Sequence, residues 1–377
     1  MKFDDIKTKL RRMDKKYYYG YQLLNSVDSN HNTPEIFIVS GNRSAGKTTY
    51  FTTDLLDVYN MDRENGKFII FVRDKLELGN TVSGMFQTAL DAYYDGWKIE
   101  EKVQDKIYSD IFLYEPYEVI EKDKETGEVV KNIKFKVHHC GWVIPLKNPK
   151  QIRQISATFN HAFWCYFDEF QGEKYIKDEV DKLMSIHTSI ARGQGELVRF
   201  CPVIFSSNSF QLNNPYFEAL GLNRKIQKNT KMYKGEGFVY QHTHNVLASE
   251  AQKNSAFNRA FSNSDYINHS ANDEYLLDNN LCICNPDNWG RAMYYCTLID
   301  GKNKYAVKLY NAVGLWYFDY KVDETCPIVY NITIDGAINY PLIKASMRFM
   351  KIKNAITSGC ARFKDLKCKD MALSLFI

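Results

Sequence analysis

The sequence lacks the features that would commit it to a membrane, to export or to a metal scaffold. It holds no run of about 18 apolar residues, the length a helix needs to cross a bilayer, so no membrane-spanning helix is expected. Residues Met1 to Tyr21 are polar and basic, without the apolar stretch and small-residue cleavage site of a secretion signal. Its nine cysteines are odd in number and form no C-x-x-C pair. That pattern favours reduced thiols over a disulfide framework or a zinc site, and places the expected setting in a cytoplasm. His138, His139 and Cys140, like His242 and His244, have no partners at metal-ligand spacing and read as strand or loop residues. Internal repeats and low-complexity tracts are also missing.

What is present describes a folded protein of ordinary proportions. Hydrophobic residues make up 45% and charged residues 25% of 377 positions. That is enough apolar surface to exclude wholesale disorder, and the length suits two domains. The 26 tyrosines and 23 phenylalanines are read mostly as core and strand residues. Net charge is only +4, but it is unevenly spread. Residues 341–377 carry Lys344, Arg348, Lys351, Lys353, Arg362, Lys364, Lys367 and Lys369 against Asp365 and Asp370 alone. A basic surface on a near-neutral body suits a polyanionic partner, most often nucleic acid, or else a solvated helical face.

The order of apolar runs predicts an α/β fold with a doubly wound sheet. Ile36–Val39 and Phe68–Val72 are short continuous apolar runs, the mark of strands buried on both faces, and a helical stretch separates them. Ala162–Phe167 and Val203–Ser207 repeat the pattern, with Val180, Leu183, His187 and Ile190 on one helical face between them. Tyr117–Val137 alternates around Lys124-Glu125-Thr126-Gly127 and reads as a hairpin inserted near 105–140. These pieces make a first domain over 1–225. Residues 226–285 have few apolar runs and are expected to be a linker or lid. A meander, Ala292–Leu298, Tyr305–Tyr310 and Gly314–Tyr320, opens a smaller α+β domain over 286–377, with helical stretches near 341–353 and 363–375.

Gly41-Asn42-Arg43-Ser44-Ala45-Gly46-Lys47-Thr48 fits G-x-x-x-x-G-K-[ST] between an apolar strand and a helix. Its glycines let the loop wrap a phosphate chain with N–H groups inward, and the helix N-terminus adds positive potential. Lys47 is expected on the β- and γ-phosphates, Thr48 on Mg²⁺, and Thr49 beside them at the helix start. Asp168-Glu169 ends an aromatic strand, where Asp168 can hold the metal and Glu169 can activate water as general base. Asn208, at the tip of the next strand, is a candidate sensor of the γ-phosphate. Arg192, in Ala-Arg-Gly-Gln-Gly, and Arg73, at the tip of the second strand, are candidates to neutralise transition-state charge, the first across a subunit boundary and the second in the same subunit. No guanine-reading N-K-x-D occurs, which favours ATP. Asp300, Asp319, Asp323 and Asp335 do not assemble a two-metal nuclease cluster. Lys75, Lys147, Lys150 and Arg153 are candidates to grip DNA phosphates.

The string GNRSAGKT, FVRDKLEL, GWVIPL, FDEF and SSNS with NNPYF beyond it, and GCARFKDLKCKDMALSLF at the end, resembles the DNA-packaging (encapsidation) ATPases of small podoviruses of the phi-29 type. The resemblance implies a P-loop NTPase domain of the ASCE, RecA-like kind and a C-terminal domain like a vestigial RNase H nuclease. It also implies a homopentameric ring at the portal of a procapsid, driving double-stranded DNA inward with ATP and Mg²⁺, with packaging RNA as a further partner and no membrane. By that analogy Lys47 and Thr48 bind nucleotide and metal, Asp168 holds the metal, Glu169 is the base and Arg192 is a trans-acting finger, although the loop after Arg192 is a residue longer here. The alternatives are a terminase-like large subunit with an active nuclease, a helicase, or a nucleotide-dependent switch.

Overall fold

The computed structural model describes residues 17–122, 129–172, 175–192, 198–209, 214–223, 225–226, 230–260, 282–301, 303–333 and 339–375. The chain divides into two compact units, Met1–Gln211 with Thr230–Leu276, and Leu212–Asn229 with Leu277–Ile377. Among the described residues no helix is long and apolar enough to cross a membrane.

The first unit is built on a nine-stranded sheet in the order β3-β4-β5-β2-β6-β7-β1-β9-β8. Its strands are β1 (Ile36–Gly41), β2 (Lys67–Val72), β3 (Lys98–Gln104), β4 (Tyr108–Lys122), β5 (Val129–Pro145), β6 (Ala162–Asp168), β7 (Val203–Asn208), β8 (Met232–Gly235) and β9 (Phe238–Thr243). The four apolar runs read from the sequence are its parallel centre, β2, β6, β7 and β1. Helices α1 (Lys47–Met61) and α2 (Thr81–Tyr93) follow β1 and β2; α3 (Pro149–Gln154), α4 (Glu179–Ile190) and α5 (Val246–Asn254) come later. Phe37, Val39, Phe68 and Ile70 share one core with Phe51, Leu55 and Phe86 of α1 and α2. Ile38, Ile69 and Phe71 alternate to the opposite face and are buried too, so both faces of the sheet are covered.

Two expectations change. The hairpin read as an insertion is also part of the sheet: β4 and β5 pair antiparallel, and the end of β5, Gly141–Pro145, runs parallel to Phe68–Val72. The stretch 226–285 is not wholly a linker or lid, because β8 and β9 form a hairpin whose second strand pairs parallel with β1 over its full length. Its apolar residues are too few to stand out as a buried run, since the strands are four and six residues long and Lys234, Gln241 and His242 cut the apolar groups short. The approach of β9 to β1 requires Gly41: a Cβ there would stand 2.1 Å from the Thr243 carbonyl oxygen.

The second unit holds a five-stranded sheet in the order β13-β10-β11-β12-β14, from β10 (Met293–Asp300), β11 (Asn303–Tyr310), β12 (Leu315–Asp319), β13 (Val329–Asn331) and β14 (Ala361–Phe363). β10, β11 and β12 form the expected antiparallel meander, while β13 and β14 add parallel edges. Helices α6 (Met347–Thr357) and α7 (Leu366–Ser374) supply Ile352, Cys368 and Met371 to its core. Two of the four carboxylates considered for a nuclease, Asp319 and Asp323, are engaged locally. Asp319 is buried against Lys308 Nζ at 2.7 Å, Asp323 accepts from Thr325, and Asp335 lies outside the described residues. Lys308→Met is expected to leave the Asp319 carboxylate buried without its countercharge. Chemical denaturation should read a loss of roughly 3–5 kcal/mol in the transition of this unit.

Candidate active site

Parallel pairing brings three strand tips level at one edge of the first unit. Gly41 of β1 stands beside Asn208 of β7, and Asp168 of β6 beside Ser206 of β7. β7 therefore lies between the strand that enters the glycine-rich loop and the strand that ends in Asp168-Glu169. Two strand spacings, about 10 Å, separate the two halves of the site and leave room for a phosphate group and a water.

The loop itself turns as its sequence requires. Ser44 has φ +58° and Gly46 φ +91°, both left-handed, and Gly46 precedes the first residue of α1. Neighbouring segments hold the loop from outside. Tyr18 N–H donates to the Ala45 carbonyl at 2.7 Å, and the buried Asn42 amide exchanges two hydrogen bonds with the Asn245 backbone at 2.8 and 2.9 Å. Lys47 is buried and donates to the Gly41 and Asn42 carbonyls, its ammonium held inside the loop where a phosphate oxygen would compete for it. Arg43 is exposed, and Thr49 joins Lys47 and Thr48 along a pocket of about 360 Å³. The same pocket is lined by Asp168, Glu169 and Asn208, so the loop, the acidic pair and the proposed sensor do meet.

Asp168 is the junction. Thr48 Oγ1 donates to its Oδ2 at 2.8 Å and Ser206 Oγ to its Oδ1. A carboxylate only accepts, so both hydroxyls must donate, and Ser206 is left to accept from the buried Tyr166 phenol at 2.8 Å. Burial, and then the Asp168 charge, push the Tyr166 hydroxyl well above its ordinary range, so it stays a donor. Tyr166 and Ser206 were not singled out from the sequence; their signal is position, two residues before Asp168 on its own strand and opposite it on the next. The donors facing the pocket here are a hydroxyl and a carboxylate oxygen, the set a hard divalent cation takes. No group of three or more His, Cys, Asp or Glu that could hold a metal occurs among the described residues. A cation at Thr48 and Asp168 would therefore complete its shell with phosphate oxygens and water.

Glu169 is exposed, with φ +52°, a left-handed value that a glutamate holds only when its surroundings impose it. Arg73 is the main restraint. Its guanidinium donates to the Glu169 carbonyl at 2.9 Å and to the Phe170 carbonyl, and its Nε to the buried Glu179 carboxylate at 3.1 Å. It also lies over the Phe167 and Tyr175 rings. Arg73, expected near the nucleotide, is engaged here by the backbone of the acidic turn and by Glu179 and does not line the pocket. Arg192 stands exposed one residue past the C-cap of α4 and is also absent from the lining.

The basic candidates gather at the adjoining strand tips. Lys75 follows β2 and donates to Gln151 on α3 at 3.2 Å; Lys147 pairs with Asp74 at 2.8 Å. Lys150 and Arg153 are exposed on α3, and Leu76 beside them is 86% exposed. Arg73→Ala should free the Glu169 turn while leaving the phosphate loop intact. Steady-state assays are expected to show kcat for nucleotide hydrolysis down about 10- to 100-fold, with nucleotide affinity within about twofold by fluorescent-analogue titration.

A family model for podovirus DNA encapsidation proteins (Gp16) matches residues 116–377. The match begins beyond the glycine-rich loop, whose reading thus rests on its own geometry. None of the curated proteins matches the chain. Among solved structures it is similar to the bacteriophage Phi-29 viral genome packaging motor assembly, at 20% identity and TM-score 0.55, over 96% of this chain and 99% of that one. It is also similar to the Phi-28 gp11 DNA packaging motor, at 16% identity and TM-score 0.53, over 96% and 97% of the two chains. At those identities the likeness establishes the fold, and it spans both units. With the family model covering more than half the chain, the protein belongs to the podovirus DNA encapsidation protein (Gp16) family.

Proposed function

We propose that this encapsidation protein is an ATP-driven motor that moves double-stranded DNA into a procapsid as a ring of identical subunits. The observation that carries the reading is the meeting of Thr48, Asp168 and Ser206 in one hydrogen-bonded junction, with Lys47, Glu169 and Asn208 around the same pocket. A simple phosphate-binding loop needs Lys47 and Thr48 only. An acidic pair aligned with the loop, its second member on a restrained turn, adds what hydrolysis needs.

In this reading the loop N–H groups and Lys47 bind the β- and γ-phosphates of ATP. Mg²⁺, held by Thr48 and Asp168, would supply charge neutralisation on those phosphates. Glu169 orients and deprotonates the attacking water, and Asn208 senses the γ-phosphate from the tip of β7. Arg192, free of the pocket of its own subunit, is suited to reach the site of a neighbour, which would couple hydrolysis around a ring. Five subunits, a portal contact and a packaging RNA belong to the same reading by family resemblance; the Phi-29 neighbour is a viral genome packaging motor assembly.

DNA would be gripped through phosphates by Lys75, Lys147, Lys150 and Arg153, and the grip would weaken steeply with salt. In the second unit we read an RNase H-like domain without nuclease activity; the Lys308–Asp319 pair supports this, because it engages one of the carboxylates a metal cluster would draw on.

Two measurements test the proposal. Glu169→Gln is expected to bind ATP with near wild-type affinity while hydrolysis falls by about 10²–10⁴ and DNA stays bound. Unchanged turnover would remove Glu169 as the base. In mixtures with Arg192→Ala, DNA-stimulated hydrolysis should fall faster than the mutant fraction; strictly proportional loss would refute a finger shared between subunits.

A further inference from the structure

We infer that α5 carries the nucleobase-reading face of this site and that Gln252 selects adenine. The inference rests on the nucleotide-binding reading and extends it to the base. A second cavity, of about 480 Å³, lies on the outer side of the glycine-rich loop and shares Tyr17 and Ser44 with the phosphate pocket. Its other walls are Leu247, Ala248, Ala251 and Gln252 of α5, with Ser255 and Asn258 just beyond the helix. The volume is in the range of small-ligand sites, and the lining joins apolar walls from Tyr17, Leu247, Ala248 and Ala251 to a polar side that includes Gln252. Tyr17 and Leu247 are 55% and 58% exposed, large apolar surfaces bordering one slot beside a phosphate loop. A stacked purine would cover both.

The polar edge is directional. Gln252 Nε2 donates to Ser44 Oγ at 3.0 Å, which ties α5 to the loop. Its Oε1 is buried and has no hydrogen-bond partner among the described residues. A buried acceptor left unpaired is costly, and a ligand that supplies a donor there relieves the cost. Adenine presents its exocyclic amine as such a donor. Guanine presents a carbonyl oxygen at the equivalent position, and acceptor would face acceptor. The slot is also held in register with the phosphates: the Asn42 side chain joins the loop to the Asn245 backbone, and the Asn245 side chain caps α5 by accepting from Ala248 N–H. The base and the phosphate chain would thus be gripped by two elements locked to each other, the loop after β1 and the helix after β9.

The test compares ATP, GTP and purine riboside triphosphate, which lacks the exocyclic amine, on the full-length protein. Wild type is expected to favour ATP over the purine analogue by about tenfold in kcat/KM, and over GTP by at least as much. Gln252→Ala should bring the three within about twofold. Gln252→Glu, which keeps an acceptor oxygen, should restore preference for ATP over GTP. Leu247→Asp should raise KM for all three alike with kcat nearly unchanged. Equal use of ATP and the purine analogue by wild type, or a ratio untouched by Gln252→Ala in a variant with an unaltered melting temperature, overturns the inference. Either result would leave ATP binding intact, whereas failure of the underlying nucleotide reading would show as no saturable binding of any triphosphate.

Discussion

The Asp168 carboxylate, with one hydroxyl donating to each of its oxygens, ties together parts of the chain that are 120 and 38 residues away from it. Thr48 arrives on the first turn of α1, Ser206 on β7, and Asp168 itself at the end of β6. Because a carboxylate can only accept, the direction of every bond is determined, out to the Tyr166 phenol behind Ser206. The arrangement leaves the Thr48 oxygen lone pairs available to a cation while its proton is engaged. It also keeps the acid oriented through hydroxyls, so its charge is not cancelled by a basic side chain.

The same economy governs the turn that follows. Glu169 takes a left-handed backbone, which costs of order 1–3 kcal/mol for a residue with a Cβ. Arg73 offsets that cost with two carbonyl bonds, an ion pair to buried Glu179 and two ring faces. Arg73 is followed directly by Asp74, which pairs with Lys147, and by Lys75, which bonds Gln151. The segment that restrains the proposed base is therefore continuous with the basic edge proposed to meet DNA. A load on that edge has a short covalent path to the acidic turn.

Much of this was legible in the sequence because it is local. The glycine-rich loop is eight consecutive residues with a strand before it and a helix after it, and each of its roles follows from residue type and neighbours. The central strands announce themselves because burial on both faces demands continuous apolar runs. The β8–β9 hairpin was not legible: its strands are short, and the apolar groups Met232-Tyr233 and Phe238-Val239-Tyr240 are only two and three residues long between polar neighbours, too brief to mark a strand. Arg73 shows a different gap. Its place at a strand tip was evident, but whether the guanidinium turned toward the phosphates or toward the strand next door depended on where Glu179 and Tyr175 came to lie. Those residues stand about a hundred positions later.

By itself the sequence determined which chemistry is available: a glycine-rich loop, an acidic pair, an amide at a strand tip and a set of surface cations, each encoded in a few adjacent residues. Tertiary structure alone decided what those groups face. Strand order placed β7 between cradle and acid and made Ser206 the second donor to Asp168; β9 and α5 came back across the chain to buttress the loop and wall the outer slot. The physical reason is that residue type and short-range spacing set intrinsic reactivity and backbone preference. Distance and direction between groups are set by sheet order and packing, which sum contacts over the whole chain.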